Sequence, residues 1–231
     1  SIKKLFIFWS NNYNIKYKKM AGILDILNSD IGKTLISGAS KQFGQDEGKT
    51  TSALNTALPL ILGAMKNNAS TPEGASGLLS ALGNDKHSGG ILDNLGSILG
   101  GGGVDQDVLD DGAGILGHIF GGKEKKVANA VSKSSGIDMD TAMNILKVAG
   151  PLVMGALGKE TRKKGISDQN GIGDLLGGML GGASNDQQSL ITKLLDADGD
   201  GSIIDDVAGM ILGGDKKKGG LGGMLSGLFG K

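Results

Sequence analysis

The stretch Ala57-Leu58-Pro59-Leu60-Ile61-Leu62-Gly63-Ala64-Met65 returns 92 residues later as Ala149-Gly150-Pro151-Leu152-Val153-Met154-Gly155-Ala156-Leu157, with proline, glycine and both alanines in register. The register extends backward without a gap, placing Ser40-Lys41 on Ser132-Lys133, Gly44 on Gly136 and Asp46 on Asp138. Each copy reads as a helix ending near that glycine, a polar turn, and a second, nearly all-apolar helix with a proline at its middle. In the second copy Asp138, Asp140 and Thr141 supply side-chain oxygens for the free amides of a helix start. Proline lacks an N–H and crowds the carbonyl four residues earlier, so Pro59 and Pro151 predict a kink or a restart in each apolar helix. A helix that is apolar all round is a central one. The expected fold is all-α: an internally duplicated helical bundle with glycine-capped short helices and proline-kinked central helices.

A looser similarity links residues 90–101 to residues 171–182, both reading as short amphipathic helices closed by glycine. Residues 67–77, with Pro72, and residues 158–171 read as flexible loop segments. In residues 216–231 glycine alternates with Leu221, Met224, Leu225, Leu228 and Phe229, a spacing that sets every large side chain on one helical face. Such a stripe calls for a partner: its own domain, a second copy in a homo-oligomer, or a membrane surface. The resulting organisation is a first helical repeat unit over 20–111, a second over 112–185, a helix, acidic loop and helix over 186–214, and a Gly/Leu-rich amphipathic tail over 215–231.

The 231 residues include 43 glycines but only eight aromatic side chains, so the core must pack with aliphatic residues and methionine. A glycine inside a helix costs roughly 0.5–1 kcal/mol relative to alanine, which assigns most of the glycines to caps, turns or close helix contacts. Residues 1–19 differ in kind: they hold no glycine, alanine or acid, but five of the eight aromatic residues and five lysines. They read as a non-native or disordered leader ahead of Met20. Their apolar run, residues 5–9, is about half of what the hydrophobic region of a signal peptide needs, and the chain reads as cytoplasmic. Without this leader, 19 basic residues face 24 acidic ones, a net of −5. A mildly acidic body argues against nucleic-acid binding, which needs a concentrated basic face. The lysine-rich runs at 123–126, 162–164 and 216–218 read as solvated helix ends or linkers. With no cysteine, thiolate zinc sites, disulfides and cysteine nucleophiles are excluded. No run approaches the ~20 apolar residues of a transmembrane helix.

The most specific chemical signal is Asp196-Ala197-Asp198-Gly199-Asp200-Gly201-Ser202-Ile203-Ile204-Asp205-Asp206, flanked by amphipathic stretches on both sides. Asp196, Asp198 and Asp200 hold loop positions one, three and five of a calcium-hand arrangement. Gly201 permits the sharp turn, Ser202 offers a carbonyl, and Ile203 anchors the loop. Position twelve, where a bidentate glutamate closes the shell, is Val207, and Asp206 stands one residue early as its substitute. The expected cofactor is Ca2+, held by Asp196, Asp198, Asp200, Ser202 and Asp206 in a shortened loop similar to those of dockerins. Without a cation these aspartates form a turn and cap the following helix.

Phosphate-binding and catalytic signals fail on context. Gly112-Ala113-Gly114-Ile115-Leu116-Gly117 spells the dinucleotide fingerprint, but the preceding residues are acidic rather than an apolar strand. Gly32-Lys33-Thr34 and Gly48-Lys49-Thr50 spell the end of a Walker loop, yet Leu27 and Phe43 stand where its first glycine belongs. No nucleotide is expected. His87 reads as part of a polar loop and His118, in an apolar run, as a satisfied structural histidine. No serine lies in a Gly-x-Ser-x-Gly turn. The chain reads as a non-enzymatic structural or interaction protein, with a peripheral membrane-associated protein as the alternative.

The segment 112–121, the Ser-Gly-Ile-Asp turn at 135–138, the Pro-Leu-Val-Met-Gly-Ala-Leu helix at 151–157 and the Leu-Asp-Ala-Asp-Gly-Asp-Gly-Ser run at 195–202 together resemble the bacterial domain-of-unknown-function family 937, grouped with YidB-like proteins. The resemblance covers most of residues 20–214. It implies a bacterial source and an all-helical fold, and carries no catalytic residue across.

Overall fold

The computed structural model describes residues 22–84, 87, 90, 104–181 and 183–195, and among these all regular structure is helical. The helices are α1 (Ile23–Leu27), α2 (Asp30–Phe43), α3 (Glu47–Asn68), α4 (Pro72–Gly83), α5 (Gln106–Phe120), α6 (Glu124–Ser135), α7 (Met139–Lys164), α8 (Gln169–Leu180) and α9 (Asn185–Leu195). The all-α expectation holds. The leader, the acidic loop and the tail lie outside the described residues.

Side-chain oxygens start most of these helices by accepting from the orphan amides of the first turn. Ser29 accepts from Gly32, Thr71 from Gly74, Asp105 from Asp107 and Asp168 from Gly171. Ser184 and Gln187 form a reciprocal pair at the start of α9, each side chain bonded to the other's backbone N–H. The turns α2–α3 and α6–α7 repeat one geometry 92 residues apart. Gly44 and Gly136 close the first helix with φ of 61° and 70°, in the left-handed region that favours glycine. The Ser40 hydroxyl donates to the Gln45 carbonyl and the Ser132 hydroxyl to the Ile137 carbonyl. Asp46 and Asp138 then cap the second helix.

At the second turn the Thr141 hydroxyl (2.6 Å) and the Thr141 N–H (2.8 Å) both donate to the Asp138 carboxylate. These two bonds, the hydroxyl first, hold the Asp138 carboxyl below the usual carboxylate range. A depressed folded-state pKa contributes stability that is present above the ordinary carboxylate value and lost as pH falls through the folded one. Asp138→Asn, which retains a capping oxygen, is therefore expected to lose less melting temperature between pH 7 and pH 3 than the parent chain. Parallel pH titrations of melting temperature check this.

The two long helices, α3 with 22 residues and α7 with 26, carry Pro59 and Pro151 without interruption. Of the kink or restart expected at each proline, the restart does not occur, and each freed carbonyl meets a helix from elsewhere in the chain. Pro59 has no N–H for the Asn55 carbonyl, and the Gln187 side chain of α9 donates to that oxygen at 2.7 Å. Pro151 likewise frees the Lys147 carbonyl, and Gly112 of α5 lies so close against it that a Cβ at Gly112 would run into the oxygen. Each proline thus sits where a helix from elsewhere in the chain crosses.

Those crossings interlock the halves. Among the described residues, α4 and α5 of the first half pack on α7, while α8 and α9 of the second pack on α3. Ile115 of α5 lies against Gly150, and Ile191 of α9 against Gly63. One continuous core results, with Leu54, Ile61 and Leu62 of α3 and Leu146, Val153 and Leu157 of α7 almost fully buried. Residues 111 and 112, between which the sequence reading divides the repeat units, are successive positions within α5.

Two segments read as loops are mostly helix. Of residues 67–77, only 69–71 interrupt the helices, because Pro72, with φ preset, starts α4 under the Thr71 cap. Residues 158–164 extend α7, where Gly158 fits against the His87 backbone and Arg162 donates to the Leu82 carbonyl. The counterpart of α8 is α4, which holds the equivalent place after α3 and shares the pattern Gly-x-x-x-Leu-Leu at 74–79 and 171–176. Residues 91–101, matched to α8 from sequence, lie outside the described residues.

Candidate functional site

Among the described residues a groove of about 810 Å³ is walled by α4 and α5 and floored by the end of α3 and by Met154 of α7. Residues 74, 77, 78 and 81 give one face of α4, and residues 111, 114, 115 and 118 give one face of α5, both at the spacing of neighbouring helical turns. Gly77 and Gly114 line the groove, and a Cβ at either would meet only open space. The floor is apolar, formed by Ala64, Met65, Phe120 and Met154. Asn68 fixes the closed end: its side-chain amide donates to the His118 and Ile119 carbonyls at 3.3 and 3.1 Å, tying the end of α5 to the end of α3. The volume lies within the range of small-ligand pockets.

Polar groups stand at the rim. Asp110 and Asp111 occupy one end and Lys123 lines the other, past Phe120. His87 Nδ1 lies 2.9 Å from the Ala81 carbonyl, and Nε2 faces the Asp111 carboxylate at 3.6 Å. The two histidines exchange the environments expected of them. His87 is the enclosed one, its side chain 12% exposed, whereas His118 is exposed on α5. Amphipathicity decides this: Ile115, Leu116 and Phe120 take the buried side of α5, and His118, two or three positions away, turns outward. Thr71, the hydroxyl residue of the lining, is engaged as the cap of α4, donating to the Asn68 carbonyl while accepting from Gly74.

Asp196, Asp198, Asp200, Ser202 and Asp206 lie outside the described residues, although α9, the helix leading into that loop, is described to Leu195. Among the described residues no group of three or more histidine, aspartate or glutamate side chains could hold a metal ion. The dinucleotide-like glycines 112, 114 and 117 lie within α5 and not in a strand-to-helix turn. Among the described residues one helix, α7, is long and apolar enough to cross a membrane by length and composition, and 78% of its apolar window is buried inside the fold.

Sequence reasoning missed the groove because its walls carry little chemistry. The available signal was the spacing of small residues, Gly74 and Gly77 on α4 and Gly114 on α5, one helical turn from apolar side chains.

Among the described residues the fold is all-helical, with an apolar groove between α4 and α5. The chain belongs to the family described as bacterial protein of unknown function (DUF937), which matches residues 25–160. That match runs from α1 to near the end of α7 and leaves out α8 and α9, the helices that cover α3. No curated protein and no solved structure matches the chain.

Proposed function

We propose that this is a non-enzymatic interaction protein that receives an apolar, amphipathic helical segment in the α4/α5 groove. The observation that carries the reading is Gly77 on α4 and Gly114 on α5, both lining the groove with open space where a Cβ would stand, above an apolar floor. Recognition of an amphipathic helix by a groove uses anchors one turn apart, and walls without side chains at their centres allow its backbone close. The lining supports binding rather than catalysis, since its one hydroxyl, that of Thr71, is engaged as the cap of α4. A labelled Leu/Lys amphipathic helical peptide, followed by fluorescence polarisation, tests this. Gly77→Leu combined with Gly114→Leu fills the groove and is expected to weaken binding at least about tenfold, roughly 1.4 kcal/mol. Unchanged binding would reject the groove as the binding surface.

Cation binding by the acidic loop belongs to the same reading. Asp196, Asp198 and Asp200 alternate as convergent ligands must, Ser202 and Asp206 complete the set, and α9 supplies the entering helix. Bound Ca2+ relieves the repulsion among these carboxylates, so calcium is expected to raise the melting temperature, and Asp198→Ala or Asp200→Ala to abolish the rise. A melting temperature indifferent to both calcium and chelator would overturn it.

A further inference from the structure

We propose that Asn170 is a self-modification site: its side-chain amide condenses with the Gly171 backbone nitrogen when the first turn of α8 opens, and the closed turn holds that reaction off. The product is aspartate or isoaspartate at position 170. The site lies away from the α4/α5 groove and does not depend on what binds there.

The sequence supplies the reactants. Asn170-Gly171 is the one Asn-Gly pair of the chain. Glycine has no side chain to hinder the approach of its own nitrogen and is the residue most free to adopt the backbone that approach requires. The Gly171 nitrogen attacks Asn170 Cγ, its proton leaves with the side-chain nitrogen as ammonia, and a five-membered succinimide ring closes. Water then opens the ring at either carbonyl. One route gives aspartate, and the other gives isoaspartate, in which the main chain runs through the former side chain. Water is the only co-reactant, and nothing is oxidised or reduced.

The structure supplies the restraint. Asn170 is exposed, so burial does not shield it. Geometry does. Asn170 and Gly171 lie in the first turn of α8, and ring closure swings the Asn170 ψ far from the helical value of roughly −42°. The Gly171 N–H is donated to the Asp168 carboxylate at 2.9 Å, a bond the attacking nitrogen must give up. On one side of the pair the Gln169 side chain donates to the Ser70 carbonyl at 2.9 Å, and on the other Ile172 is completely buried. The turn is thus pinned at both ends, and the reaction waits on its local opening.

The same packing keeps the labile pair in place. A Cβ at Gly171 would come within 2.9 Å of Ile166 Cγ2, and one at Gly74, the third residue of α4 as Gly171 is of α8, would run into the Asn68 carbonyl. Both helix starts therefore favour glycine there. The residue before it is Glu73 in α4 and Asn170 in α8, so of the two starts only that of α8 holds an Asn-Gly pair. Isoaspartate adds one methylene to the main chain and shifts Gly171 out of register with the Asp168 cap. The broken turn belongs to the helix that buries Ile172, Leu175 and Leu176 and packs on α3 and α4. The modification records an opening of α8 and prevents its full re-closure.

The test incubates the full chain at neutral pH, in buffer and in guanidinium chloride, and follows position 170 by peptide mapping with mass spectrometry. Conversion in buffer is expected to be at least about tenfold slower than in the denaturant. Asp168→Ala, which deletes the cap, is expected to speed conversion in buffer at least about threefold and to leave the rate in denaturant unchanged. Asp168→Asn, which keeps a capping oxygen, is expected to convert at the parent's rate in buffer. Far-UV circular dichroism first establishes that both variants fold. The isoaspartate fraction, separated by chromatography, is expected to melt below the parent, whereas Asn170→Asp, which adds a charge at a helix start without the methylene, is expected to melt no lower. Equal rates in buffer and denaturant, no conversion in denaturant, or an Asp168→Ala chain indistinguishable from the parent in buffer would overturn the proposal. An isoaspartate fraction that melts with the parent would overturn the consequence for α8.

Discussion

Replacing Gly112 by alanine is expected to destabilise the protein, while the same replacement two residues later, at Gly114, stabilises it. Both residues are interior positions of α5, so helix propensity alone predicts a gain of roughly 0.5–1 kcal/mol at each. At Gly114 nothing lies near the added methyl, and that gain is expected in full. At Gly112 the methyl would strike the Lys147 carbonyl, a backbone atom held within α7 beside Pro151. Relief requires α5 to move away from α7, which also withdraws Ile115 from Gly150. Overpacking of this kind typically costs about 1–3 kcal/mol, and a blocking backbone atom favours the upper end. Urea unfolding midpoints of the two variants therefore move in opposite directions from the parent. A common sign at both positions would contradict the close crossing of α5 over α7.

Leu54→Ala and Leu146→Ala are expected to have larger effects still, ~2–5 kcal/mol each. These leucines hold equivalent positions on α3 and α7, 92 residues apart, and each is completely enclosed. Truncation leaves a cavity that cannot refill from solvent, because α3 is roofed by α8 and α9 and α7 by α4 and α5. For a chain of this length ~1 kcal/mol shifts the melting temperature by roughly 2–4 °C, so either variant is measurable by thermal denaturation. The interlocking adds a second expectation: a cavity in α7 loosens the first half as well, since α4 and α5 belong to it and rest on α7.

The sequence made the central helices legible because a proline amid an all-apolar run recurs at a fixed offset with its glycine and aspartate caps. The caps at Asp46 and Asp138 and the helix ends at Gly44 and Gly136 lie where local chemistry put them. Which of the two, kink or restart, each proline would bring was not legible, nor were the tertiary neighbours of the freed carbonyls, Gln187 at the Asn55 carbonyl and Gly112 at the Lys147 carbonyl. Nor was the exchange of helices between the halves, since nothing local in α4 or α8 says which long helix it will cover. Loop signals misled at Pro72 and at residues 158–164. Proline starts helices as readily as it ends them, and the polar end of α7 is helical because Gly158 and Thr161 are buried against the rest of the fold. The groove escaped notice because absent side chains form it, and the exposure of His118 follows from which face of α5 the core claims.

The interlocked halves are the central claim, and calorimetric unfolding of the full chain tests it most directly. One transition, with calorimetric and van't Hoff enthalpies equal, is predicted for the parent, and Leu146→Ala should move the whole of it to lower temperature. Two transitions in the parent, or a Leu146→Ala chain in which part of the heat absorption stays in place, would show that each half holds its own core and would contradict the account.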